Sequence, residues 1–344
     1  MVTIRQCQAE DVSDVLAFLH AHWKPGHIFT VQRALFDWQH SLRDRPDTYS
    51  MAIARRDGDR ALLGILGYIP TRQFDPALAA DNTVWLALWK VRDDADTAGL
   101  GLRLLKYVTD TEPHTTIGVM GFNQDVRPIY QALGFAVGEL RHYVMPNPDI
   151  DRIELATIRA TPRLPPGDDL LTALPLDKMN FPERVAAVDL GTRHRQAPGK
   201  TPAFFLGRYL RHPIYRYQCD LLCRGGYPIG LLATRIATHS GRSALRVVDY
   251  LGPEDAVPGL GPLILRQVQS AGAEYADVYN WGIEPDLFTR AGFSLVDPGG
   301  PDIVPDHFEP FEPRNVSLRY AVKTERPAVL FKGDGDQDRP NLVP

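Results

Sequence analysis

Apolar runs of strand length alternate along this chain with amphipathic stretches of helical period, and the same order of elements occurs twice. Val2 to Cys7 reads as a short strand, and Ala9-Glu10-Asp11 leads into a helix with Val12, Val15, Leu16 and Leu19 on one face. Pro25-Gly26 ends it, and a second helix is predicted from about Thr30 to His40. Tyr49 to Arg55 and Ala61 to Thr71 form two strands around Asp57-Gly58, a strong hairpin signal. The apolar run Val84 to Val91 then passes through an acidic turn, Arg92 to Thr97, into Ala98-Gly99-Leu100-Gly101 and a helical segment, Leu102 to Val108. Ile117 to Phe122 reads as a buried strand, and Asn123 starts a short helix that ends at Gly134-Phe135.

Residues 146 to 167 hold Pro146, Pro148, Pro162, Pro165, Pro166 and Gly167, too much proline for a helix interior, and read as a linker. The pattern then restarts. Phe181 to Leu190 and Pro202 to Leu210 are the helices, and Tyr215 to Cys223 and Tyr227 to Thr238 make a hairpin around Gly225-Gly226. Leu245 to Leu251 is the next strand, Pro258-Gly259-Leu260-Gly261 opens a helix, Tyr275 to Asn280 is a strand, and Asp286 to Ala291 closes at Gly292-Phe293. Gly259 lies 160 residues after Gly99, and Gly292 lies 158 after Gly134. Two anchors at nearly one offset predict a tandem α/β (α+β) chain: one domain over 1–145, a second over 168–326, and a C-terminal tail over 327–344.

Composition narrows the function classes. With 344 residues the chain can bury two cores, and a net charge of −4 argues against a general nucleic-acid binder. No run of 18 apolar residues occurs and the start has no apolar signal core, so a cytoplasmic protein, monomer or homodimer, with no membrane partner is expected. Cys7, Cys219 and Cys223 are too few and wrongly placed for a disulfide framework or a zinc site.

A strand that ends in a glycine-bearing turn and opens directly into a helix aims unpaired backbone N–H groups one way, at the positive end of the helix dipole, which makes an anion cradle. Here the stretch resembles the GNAT acyltransferase superfamily, whose pyrophosphate loop Q/R-x-x-G-x-G/A is matched by Gly99 and Gly101. Its second motif, an Asn followed by a short helix carrying Tyr and ending in Gly-Phe, is matched by Asn123, Tyr130, Gly134 and Phe135. The element order over residues 1–145 resembles the same family. The resemblance implies a mixed, largely antiparallel sheet flanked by helices in each half, and an acyl-CoA, acetyl-CoA by default, as co-substrate. It places the donor against Val91, Ala98, Gly99, Leu100, Gly101, Leu102 and Asn123, with Tyr130 protonating the leaving thiolate. One departure is that Asp96 stands where the family carries Gln or Arg, with Asp93 and Asp94 nearby; like charge beside a pyrophosphate is unfavourable.

The repeats differ where this chemistry would live. In the second half Phe288 takes the Tyr position, Asn280 is displaced by one residue relative to Asn123, and Pro258 and Pro262 each remove an N–H. The first half is therefore expected to bind the donor. Asp249 nevertheless falls near the end of the Leu245 to Leu251 strand, where the family often carries a carboxylate base, whereas the first half has Trp89 there. It could serve a shared cleft or be a hydrogen-bonded strand-end carboxylate. His27, after Pro25-Gly26, reads as exposed and as a second candidate base. Trp38, Gln39, Tyr68 and Trp89, with Trp23, Phe36 and Trp85, crowd the segments that line the acceptor cleft in this family, and Arg208 or Arg246 could hold a phosphate.

The ending, FKGDGDQDRPN, places Asp334, Asp336 and Asp338 at alternate positions with Arg339 and Asn341 behind. Arg339 at position six and the missing position-twelve Glu argue against a calcium loop, and no metal is expected. The alternatives are a solvated tail or a segment folding back into a cleft, with Asp336 and Arg339 on the acceptor. The ending resembles those of GNAT-like proteins associated with bacterial surface-polysaccharide biosynthesis, which implies the amine of a nucleotide-linked amino sugar as acceptor. Fem-type transferases and mycothiol synthase share a tandem architecture with other acceptors, and a non-catalytic ligand-binding pair of modules stays open as well.

Overall fold

In a computed structural model, which describes residues 1–93, 97–159, 171–185, 196–306 and 309–342, the chain forms two mixed sheets of the same strand order. The first half runs β1 (Val2–Gln8), α1 (Val12–His22), α2 (Ile28–Val31), α3 (Arg33–His40), β2 (Thr48–Arg56), β3 (Leu62–Pro70), β4 (Thr83–Val91), α4 (Leu100–Thr111), β5 (Thr116–Met120), α5 (Arg127–Ala132), β6 (Ala136–Glu139) and β7 (Arg141–Pro146). The second runs β8 (Leu171–Leu176), α6 (Phe181–Val185), α7 (Pro202–Phe205), β9 (Gln218–Arg224), β10 (Tyr227–His239), β11 (Arg242–Leu251), α8 (Val257–Ala271), β12 (Tyr275–Trp281), α9 (Pro285–Arg290), β13 (Ser294–Leu295), β14 (Arg319–Lys323) and β15 (Leu330–Phe331).

The sheets do not keep to their own stretches of chain. The first has the order β1-β2-β3-β4-β5-β14-β6 and the second β8-β9-β10-β11-β12-β7-β13. Each half thus lends one strand to the other: β7 pairs antiparallel with β12, Tyr275 opposite Pro146, and β14 with β5, Tyr320 opposite Met120. Among the described strands, only β4–β5 and β11–β12 are parallel pairs.

Every residue of β3 is buried, as suits a strand covered on both faces. The α4 stripe Leu100, Leu104, Leu105 and Val108 packs on Ala54, Leu66 and Leu86, and the α8 stripe Leu260, Leu263, Ile264 and Val268 repeats this on Leu232, Leu245 and Val247. A third core joins the halves, with Phe74, Trp85 and Met120 against Phe204, Phe205 and Tyr209.

Some elements depart from the pattern. The helix expected from Thr30 to His40 breaks at Gln32, whose φ of −122° and ψ of 76° are not helical. The one expected over Pro202–Leu210 is one α turn followed by a π turn, Leu206–Leu210. The strand expected from Tyr215 starts at Gln218 instead, because His212 Nδ1 accepts the Ile214 and Tyr215 amides (3.1 and 2.9 Å) and holds those residues in a turn. The end of the helix expected over Phe181–Leu190, residues 186–190, and linker residues 160–167 lie outside the described residues. No described helix is long and apolar enough to cross a membrane.

Candidate active site

Strands β4 and β5 pair only from Thr83 to Leu86, opposite Thr116 to Val119. Beyond that point β4 carries a bulge: Trp89 faces Leu66 and Leu86 faces Tyr68, so Ala87 and Leu88 together oppose Gly67. The parallel pairing stops there, and the two strands run on to their C-terminal ends without pairing with each other. Gly99 caps α4 with φ +70°, a left-handed conformation that disfavours other residues, and a Cβ there would meet nothing within 4 Å. Ala98, Gly99 and Leu102 are exposed and Val91 is half-buried. The Leu100 N–H donates to Thr97 O (2.9 Å), and those of Gly101 and Leu102 lie at the open end of the helix. Asp93 is paired by Lys90 Nζ at 2.6 Å, which offsets its charge, while Asp94 and Asp96 lie outside the described residues.

Below this cradle the Tyr130 ring packs among Trp89 (6.3 Å between centroids), Phe122 (5.0 Å) and Phe135 (5.4 Å). Burial pushes the phenol's pKa up, so it holds its proton at neutral pH. Asn123 is exposed and accepts the Val126 N–H through its carbonyl (3.1 Å).

The second half has the same opening and closes it. Strands β11 and β12 pair from Leu245 to Val247, then Val248 bulges. Strand β15 occupies the gap, with Phe331 opposite Asn280 and Leu330 opposite Trp281, and the Gly333 N–H donates to Val248 O (2.9 Å). Asn280 clamps this insert through Nδ2 on Leu330 O (3.0 Å). The glycine at the helix start serves packing instead of an anion: a Cβ on Gly261 would lie 1.9 Å from Ala291 O, so α8 sits directly on the end of α9. Phe288, in the Tyr position, stacks on Tyr143 at 4.5 Å.

Counted from the last parallel pair, Leu86 in one half and Val247 in the other, the counterpart of Asp249 is Leu88, not Trp89. Asp249 is fully buried and committed. It accepts from Lys200 Nζ (2.6 Å), the Tyr209 hydroxyl (2.7 Å) and the Tyr250 amide (2.8 Å). Lys200 also donates to Asp334 (2.9 Å), so one ammonium serves two buried carboxylates. Burial, with Asp249 opposite, outweighs Lys200 and raises the Asp334 pKa to about 6. A carboxyl raised above its unfolded value, about 3.9, adds stability that is present below pH 4 and lost as pH rises through 6. Asp334→Asn is therefore expected to stabilise the protein at pH 7.5, on the order of 1–3 kcal/mol, with the gain vanishing by pH 4. Urea denaturation at both pH values checks this; a less stable variant at pH 7.5 contradicts it.

The tail folds back as a buried strap between the halves. Gly335 lies against the Trp85 ring, and Gln337 packs on Gly121 and donates to Met120 O (3.1 Å), at the end of β5. Asp336 accepts from Gln39 Nε2 (2.9 Å) and from Arg339 Nε (2.9 Å), Arg339 lies over Phe29 (5.3 Å), and Asp338 is held by Arg235 (2.6 Å). Trp38, Gln39, Arg208, Asp336 and Arg339 are thus brought together around the strap, whereas Tyr68 faces Gln6 (3.2 Å) and Glu112 (3.4 Å) on the other side. His27 is not exposed: it is 4% accessible, accepts the Phe29 amide through Nδ1 (3.3 Å), and burial lowers its pKa to about 4. Arg246 is buried against Asp277 (2.6 Å) and unavailable to a phosphate. Lys200, His40, Gln73 and His212 also reach this region, and no local motif marks any of them; Lys200 and Gln73 bond to partners far off in sequence, Asp249 and Asp334 for the one and Gln39 O for the other.

No family model matches this sequence, and no curated protein does. Solved structures do. A GCN5-related N-acetyltransferase from Anabaena variabilis superposes with a TM-score of 0.59 at 11% identity, covering 94% of this chain and 72% of that one. A conserved protein of unknown function from Enterococcus faecalis V583, named a probable N-acyltransferase, gives 0.59 at 10%, covering 95% and 73%. The fold is that of the GCN5-related N-acetyltransferases, with two mixed sheets flanked by helices.

Proposed function

We propose that this chain is an acyl-CoA-dependent N-acyltransferase whose one donor site lies in the first half. The observation that carries this is the asymmetry of the two openings: the gap beyond Val247 holds β15, while among the described residues no strand enters the one beyond Leu86. The pyrophosphate lies on the amides of Gly99, Gly101 and Leu102, and the pantetheine passes Val91 and Asn123 into the splay. The acceptor nitrogen attacks the thioester carbonyl, a C–N bond forms, and the C–S bond breaks. A backbone N–H at the β4 bulge stabilises the oxyanion, and Tyr130 gives its proton to the CoA thiolate. His27 Nδ1 already accepts a hydrogen bond and Asp249 three, so water carries the amine's proton away in this reading.

The acceptor approaches from the seam between the halves, where Trp38 and Phe74 form an aromatic wall beside Gln39 and Asp336. That combination suits a ring bearing hydroxyls, and a nucleotide-linked amino sugar of surface-polysaccharide synthesis is the acceptor we favour. Calorimetry with acetyl-CoA is expected to give a stoichiometry of one. In CoA-release assays over a panel of amino-sugar nucleotides, Tyr130→Phe is expected to lower kcat by about a hundredfold with little change in the KM for acetyl-CoA. No binding of any CoA species by the wild type would leave a non-catalytic binding module instead.

A further inference from the structure

The seam carries a charge pattern that the acyl-transfer chemistry does not use. Gly207, in the π turn, lets the halves close: a Cβ there would lie 2.7 Å from Phe74 O, and Trp38 Nε1 donates to Gly207 O (3.4 Å). The next residue, Arg208, is 5% accessible and lies over the Trp38 and Phe74 rings (5.2 and 5.4 Å). Its Nη2 donates to Gly335 O (2.6 Å) and Gly333 O (3.3 Å), whereas Nη1 is buried without an acceptor. His212 meets the Trp38 ring at 4.5 Å. Its Nδ1 accepts two backbone amides, so in the neutral ring Nε2 carries the proton, and that N–H is likewise buried without an acceptor. Two N–H groups with no acceptor therefore flank one indole.

Two exposed arginines stand outside them. Arg43 follows α3 and Arg211 precedes His212; no carboxylate pairs with either among the described residues, and burial first, then the Arg211 charge, lowers the Arg43 pKa. The nearby acids are engaged elsewhere, Asp44 by Arg72 and Asp338 by Arg235 and the Tyr217 hydroxyl. Unpaired guanidinium groups that act on each other repel, and an anion between them removes that cost.

We infer that this seam, with Arg43 and Arg211 outside and Arg208 Nη1 and His212 Nε2 inside, is a subsite for a phosphate or diphosphate group of the acceptor. Guanidinium forks match phosphoryl oxygens, and Trp38 offers a face to the ring the phosphate carries. The assignment to the acceptor rests on the acyltransferase reading; the anion site itself does not.

The test is calorimetric titration of inorganic pyrophosphate and, separately, acetate into wild type, Arg43→Ala/Arg211→Ala, His212→Phe and Gly101→Glu. Pyrophosphate binding is expected to weaken at least about tenfold in the double variant and measurably in His212→Phe, to persist in Gly101→Glu, and to exceed acetate binding about tenfold. Acetyl-CoA affinity should be the same in wild type and the double variant. Pyrophosphate binding that vanishes in Gly101→Glu and ignores the arginines overturns the proposal, as does no binding at all or tighter binding of acetate. Failure of acetyl-CoA to bind even the wild type would remove the acyltransferase reading and leave the pyrophosphate result standing by itself.

Discussion

Gly101→Glu is expected to weaken acetyl-CoA binding by at least about a hundredfold while the protein stays folded, because the new carboxylate would meet the pyrophosphate at the mouth of the cradle. The fold tolerates it for two reasons. A Cβ at Gly101 meets only the edge of the Trp89 indole at 3.2 Å, and a carboxylate in the first turn of α4 interacts favourably with the helix dipole. Gly261→Glu should do the reverse. Its Cβ would overlap the Ala291 carbonyl at 1.9 Å, a backbone atom that cannot swing aside, so α8 must lift off α9. That is expected to destabilise by at least about 3 kcal/mol, beyond the usual range for overpacking by a few atoms, while whatever remains folded binds acetyl-CoA normally. Calorimetry and urea denaturation on both variants separate the effects. Loss of acetyl-CoA binding from a folded Gly261→Glu protein, with Gly101→Glu unaffected, would move the donor site to the second half.

These two glycines also mark how far the sequence could be read. The run from Val84 through Gly99 to Phe135 was legible because strand, turn and helix are local, and period and glycine position suffice to place them. Gly261 looks the same in sequence, but its role depends on the end of α9, some thirty residues on, which no spacing rule reports. The exchange of β7 and β14 was equally hidden: an alternating or apolar strand announces that it will pair, not with which sheet. The tail's alternating carboxylates suited water as well as a cleft because Lys200, Arg235 and Gln39, the groups that neutralise or hold them, stand more than a hundred residues away. His27 looked exposed from its place after Pro25-Gly26, yet it caps α2 and its ring packs on Phe29 at 5.1 Å.

Lys200→Met is expected to destabilise the protein by about 3–5 kcal/mol, because it leaves Asp249 and Asp334 buried without a cation. Removing one partner of a buried pair costs more than the pair contributes, since the remaining charge keeps its full desolvation penalty. The deficit should shrink as pH falls, because Asp334 then takes up a proton and its repulsion with Asp249 ends; urea denaturation at pH 7.5 and 5 reads this directly. Adding Asp334→Asn to Lys200→Met should recover part of the loss at pH 7.5 by removing one of the two charges. A Lys200→Met protein as stable as the wild type at pH 7.5 would contradict the triad. The same arrangement bears on function, for Lys200 offers Asp249 an ammonium nitrogen at 2.6 Å from within the chain itself. An acceptor amine arriving at Asp249 would have to displace Lys200 and the β15 insert together, which favours the proposed cleft beside Tyr130 over one at Asp249.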